Sequence, residues 1–149
     1  DSWQKAFVED KEFFERHLPD KKLEFELASL ENFTEQIQWA DAIYIRGGTT
    51  ASLLKILDQA PGWHQKLKSK TIAGSSAGAH ALAKYHHRLD TPELGEGLGL
   101  VPVKVLVHYR SDYNAPNIDW NKAETELKAY KEDLLFVPLK EGEFKVFER

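Results

Sequence analysis

A serine stands between two glycines in Gly74-Ser75-Ser76-Ala77-Gly78, one residue after the β-branched pair Thr71-Ile72 and directly before a helix-forming stretch. In that setting a Gly-x-Ser-x-Gly segment reads as a nucleophile elbow, because a side chain at the apex of a tight strand-to-helix turn needs neighbours without bulk. Gly74, Ala77, Gly78 and Ala79 meet that need, and Ser76 takes the apex. The helix that follows would aim unpaired backbone N–H groups at an oxyanion formed there. Alone, the segment also fits a small-residue loop that packs a helix closely on a strand. Its companions must decide. A hydroxyl nucleophile needs a base, the base needs an orienting acid, and the oxyanion needs backbone donors. His108 after Val107, Glu141 past Val137 and Gly47-Gly48 after Ile45 offer one of each.

These parts can work together only if the fold brings them to one edge, and the hydrophobic pattern predicts such a fold. Trp3, Phe7, Phe14 and Leu18 form an apolar stripe on a first helix that Pro19-Asp20 ends. Leu23, Phe25 and Leu27 alternate with charged residues and read as a strand near an edge. A short helix over 34–39 precedes a buried strand over 42–45, and Leu53, Leu54, Ile56 and Leu57 lie on a helix that Thr49 or Thr50 could cap. A short helix over 63–67 leads to the strand 71–73 and the elbow. The polar, glycine-bearing stretch 86–99 reads as loop, 103–107 as strand, Trp120, Leu127 and Tyr130 as one helix face, and 134–137 as a last strand. Strands alternating with helices predict an α/β fold with a largely parallel sheet covered on both faces. Ligands of such sheets bind beyond the carboxyl ends of the strands, where all four features fall.

At 149 residues the chain suits one domain, burying roughly two thirds of its unfolded surface. Twenty basic and 24 acidic residues leave a net charge of −4 with no basic stripe, so the composition recommends neither nucleic acid nor an anionic membrane as partner. No apolar run approaches the roughly 20 residues of a membrane span, no signal peptide opens the chain, and cysteine is absent. A cytoplasmic protein with a small soluble partner is the expectation. Methionine is also absent, even at position 1, which suggests a chain truncated at its N-terminus.

Taken in order, the motifs resemble the serine peptidases typified by dipeptidase E (aspartyl dipeptidase) and cyanophycinase, which share a flavodoxin-like fold with class I glutamine amidotransferases. Ile43-Tyr44-Ile45-Arg46-Gly47-Gly48-Thr49-Thr50 followed by Leu53-Leu54 resembles the family's strand, glycine turn and helix, and the segment from Ile72 to Ala79 resembles its nucleophile strand and elbow. Gly97-Leu98-Gly99-Leu100-Val101-Pro102 leading to Val107-His108-Tyr109 resembles its approach to the histidine, and Leu139-Lys140-Glu141-Gly142 the segment carrying its acid. The resemblance covers about residues 40–147. It implies a three-layer sandwich, possession of a Ser-His-Glu triad in Ser76, His108 and Glu141, and an oxyanion hole from the Gly48 and Ala77 N–H groups. It implies hydrolysis of small peptides through an acyl-enzyme, without cofactor or metal. Members usually carry a third glycine where Arg46 stands and an asparagine where Thr49 stands, begin with a further strand, and continue past Arg149. A non-catalytic binding module keeping the fold is the rival expectation. The arginine that the family uses to hold an acidic substrate side chain has no counterpart in the stretch after His108, where Arg110 and Lys122 are merely nearby cations, so aspartyl specificity is not carried over.

Other candidates carry less. His80, His86 and His87 could suggest a metal, but no acid or cysteine completes a familiar ligand spacing, and His80 reads as packing or capping locally. Asp90 lies near where the family has an acid important for activity, and it equally suits the start of the turn at Thr91-Pro92. Gly47-Gly48 could cradle a phosphate, yet no P-loop lysine follows. Tyr109, Tyr113 and Trp120 read as core or cleft wall.

Overall fold

A computed structural model describes residues 2–112 and 118–148. Helices α1 (Ser2–His17) and α2 (Phe33–Trp39) precede strand β1 (Ala42–Ile45), helix α3 (Thr50–Asp58) and a 3-10 turn at Trp63–Lys66. Strand β2 (Thr71–Gly74) then enters helix α4 (Ala77–Leu82), which passes without a loop into β3 (Ala83–His87). Strands β4 (Leu94–Glu96) and β5 (Val101–Leu106), helix α5 (Trp120–Ala129) and strand β6 (Leu135–Pro138) complete the order. This is the expected α/β, largely parallel, flavodoxin-like architecture. Its strands fall into two ladders, β1-β2 and β4-β3-β5-β6, parallel except for the β3–β4 pair.

Alternation along β5 divides the core. Val103, Val105 and Val107 pack with Ala83 and Val137 on one side. Leu106 on the other meets Tyr85 and the Ala123–Leu127 face of α5. Lys104 shares that second side, is 1% exposed, and donates from Nζ to the Lys128 carbonyl at 2.6 Å. A cation on the last turn of α5 satisfies a carbonyl with no partner inside the helix. A separate cluster of Ile37, Ile45, Leu57, Trp63, Leu67 and Leu82 lies around the β1-β2 ladder.

Two expectations are corrected. Residues 23–27 pair with no strand among those described; the neighbouring chain is held instead by Gln36, whose amide spans the Leu27 carbonyl and the Ser29 N–H, both at 2.9 Å. The stretch 86–99 is not all loop, because β3 and β4 form a hairpin closed by Arg88 N–H on the Glu93 carbonyl at 2.8 Å. Its polar letters concealed burial: His86 and His87 are 2% and 3% exposed. Gly95 makes room for one of them, since a Cβ there would sit 2.4 Å from His86 Nε2.

Candidate active site

Each ladder delivers half of the site. In the β1-β2 pair, Ile45 is in register with Gly74, and Ser75 N–H extends the ladder to the Ile45 carbonyl at 3.0 Å. The glycine turn and the elbow therefore leave the same edge side by side. Packing there explains the small residues. A Cβ on Gly74 would lie 2.5 Å from the Gly78 carbonyl group, and one on Gly47 would lie 3.1 Å from Ser76 Cβ. Ser76 has φ 52° and ψ −113°, a backbone that residues with side chains rarely adopt and that functional sites use to aim a group.

The β5-β6 pair delivers the rest. Leu106 and Pro138 are in register, Leu139 N–H donates to the Leu106 carbonyl and Tyr109 N–H to the Leu139 carbonyl, both at 2.9 Å. These bonds carry the two strand ends out together, so His108 and Glu141 become neighbours. His108 also has a left-handed backbone, with φ 53°.

Across the two ladders, Ser76 Oγ lies 2.9 Å from His108 Nε2, while His108 Nδ1 bonds Glu141 Oε1. A carboxylate can only accept, so Nδ1 carries the proton and Nε2 is left to accept from the serine. The bonded His108 ring holds the Glu141 carboxyl below the ordinary carboxylate range, with the Ser111 hydroxyl adding to the effect against partial burial. Serine, histidine and glutamate thus form a relay in which a proton leaving Ser76 has a ready acceptor and the resulting imidazolium a ready counter-charge. Gly48, with φ 146°, follows Gly47 in the adjoining turn. Neither the Gly48 nor the Ala77 N–H donates to an acceptor among the described residues.

The other sequence candidates fall outside this relay. Asp90 has the partners of a turn acid: Arg88 at 3.0 and 3.2 Å, and the Thr91 N–H at 2.9 Å. It makes no recorded contact with Ser76, His108 or Glu141. Thr49 caps α3 through its backbone alone, while Thr50 Oγ1 bonds His80 Nδ1 at 3.0 Å. His80 stacks on His86 with ring centroids 4.5 Å apart, and burial lowers its pKa to about 3 and that of His86 to about 4. Both are neutral packing residues at ordinary pH. Tyr109 meets Trp120 edge to face at 5.9 Å and bonds Glu124, consistent with wall residues, and Tyr113 lies outside the described residues. Arg110 bonds Asn121 at 2.8 Å and stacks over Tyr109.

Two residues take places that the sequence did not indicate. Ser111 donates to Glu141 Oε1 at 3.1 Å, and a lone serine three residues past a histidine carries no signal for that. Arg46 turns away from the elbow to α1, where it donates to the Ala6 carbonyl at 2.7 Å and pairs with Asp10 at 3.1 Å.

Comparison with curated proteins and with solved structures gives no match. The model of one family, peptidase family S51, matches residues 6–145, nearly the whole chain and every part of the relay. The chain therefore belongs to peptidase family S51, a family of serine-type peptidases.

Proposed function

We propose that the chain hydrolyses small peptides, dipeptides among them, by acyl transfer through Ser76. Ser76 Oγ attacks the scissile carbonyl as His108 Nε2 takes its proton, and the new O–C bond gives a tetrahedral oxyanion facing the Gly48 and Ala77 N–H groups. The C–N bond then breaks, and His108 returns the proton to the leaving amine. Water, deprotonated in turn by His108, attacks the acyl-enzyme and releases the acid, which restores the Ser76 hydroxyl. Glu141 stays ionised and fixes the imidazole tautomer throughout.

The observation supporting this reading is the unbroken line from Ser76 Oγ to His108 Nε2 at 2.9 Å and from His108 Nδ1 to Glu141. A binding module would have no need of the rare Ser76 backbone together with that line. Arg46, which departs from the family pattern, is engaged by α1 and leaves the serine its partner. A fluorophosphonate distinguishes the two. The expected result is stoichiometric labelling that Ser76→Ala abolishes; an unlabelled, folded wild-type chain would point to the module.

A further inference from the structure

Glu141 is a poorly confined acid. Its side chain is 54% exposed, against 16% for His108, and it sits on a turn beyond β6 where packing does little to fix a rotamer. A carboxylate that orients a histidine must present one oxygen in the ring plane, and an exposed glutamate has several rotamers to lose in doing so. The structure supplies a second anchor. Ser111 Oγ donates at 3.1 Å to Oε1, the same oxygen that His108 Nδ1 bonds.

A backbone bond of the turn that carries Ser111 places it there. Ser111 N–H bonds the His108 carbonyl at 3.0 Å, closing a four-residue turn, and Arg110 at its third position has φ 55°. Those are backbone features that alanine at 111 retains. Arg110 is pinned in its unfavourable conformation by Asn121 and the Tyr109 ring. The Ser111 hydroxyl donates to the acid of the relay.

We propose that Ser111 is a positioning residue for the relay, its hydroxyl holding the Glu141 oxygen in line with His108 Nδ1. The proposal rests on the hydrolase reading above. Without Ser111 Oγ, Glu141 swings among solvent-exposed rotamers, the imidazole loses its fixed orientation, and Ser76 is activated in a smaller fraction of molecules.

The test measures the second-order rate of fluorophosphonate labelling at Ser76 in a double-mutant cycle. Ser111→Ala should slow labelling about tenfold, the size expected for losing one hydrogen bond to a charged group. Ser111→Thr, which keeps the hydroxyl, should stay within about threefold of wild type on the same scale. In a Glu141→Ala background, Ser111→Ala should change nothing further, because the group it positions is gone. The downfield proton resonance of the His108–Glu141 bond should weaken in Ser111→Ala and persist in Ser111→Thr. An equal slowing with and without Glu141, or a wild-type rate and resonance in Ser111→Ala, overturns the role of Ser111 while leaving the hydrolase reading intact. A wild-type chain that takes no label removes both.

Discussion

A Cβ on Gly78 would stand 2.0 Å from the Ile45 carbonyl oxygen, so the first turn of α4 rests directly on the end of β1. The atom in the way is backbone, which cannot swing aside. Gly78→Ala is expected to separate elbow and strand, destabilising the fold by about 3 kcal/mol or more and placing it among the severe overpacking substitutions. Denaturant unfolding measures this, and a loss below about 1 kcal/mol would mean that the elbow is less tightly packed than its geometry indicates.

Ser76 separates chemistry from stability. Ser76→Ala removes one oxygen and should abolish labelling and peptide hydrolysis with the melting temperature nearly unchanged. Ser76→Gly should be equally inactive yet more stable than Ser76→Ala by about 1 kcal/mol, because glycine adopts the φ 52°, ψ −113° backbone without penalty. At an ordinary position glycine would be the less stable of the two, so the order of the two midpoints is the readout.

Glu141→Gln keeps the shape of the acid but removes its charge. Turnover and labelling should fall by about two to four orders of magnitude, as acid-to-amide changes do in such relays. Asp90→Asn, which disturbs only the Arg88 turn, should remain within about threefold of wild type. The reverse outcome, with Asp90→Asn inactive but folded and Glu141→Gln unaffected, would transfer the role of acid to Asp90.

The stacked histidines set an acid limit on folding. His80 and His86 have folded pKa values of about 3 and about 4, both below the unfolded value of 6.5, with burial as the main cause. The unfolded chain binds their protons first, so stability is full above pH 6.5 and declines as pH falls toward those folded values. The slope should approach about 1.4 kcal/mol per pH unit for each histidine. His80→Gln, which cannot titrate and can still meet Thr50, should flatten part of that slope in unfolding curves taken between pH 7.5 and 5.

The relay was legible in the sequence because its chemistry needs residue types that packing seldom demands together. Gly74 and Gly78 around Ser76 announce a backbone crossing, and the strands before His108 and Glu141 show their alternation openly. The ladders were less legible. The 23–27 alternation looked like a strand, but alternation specifies a face and not a partner, and none of the described strands pairs with it. β3 escaped notice for the opposite reason: His86 and His87 count as polar in a pattern although, as neutral rings, they are buried as thoroughly as leucine. Ser111 was invisible because its role depends on a turn whose left-handed Arg110 no propensity would suggest.

Helix α1 has no buried residue. It is fastened to the body by the Arg46 guanidinium, which grips the Ala6 carbonyl, Asp10 and Glu9, and by Phe14 set edge-on to Tyr44 at 5.7 Å. An attachment of this kind is expected to open before the global transition. Its ionic part weakens as added salt shortens the screening distance to about 3 Å at 1 M. Added salt is therefore expected to loosen α1 first, read as faster amide exchange over residues 2–17 with the melting temperature of the body little changed.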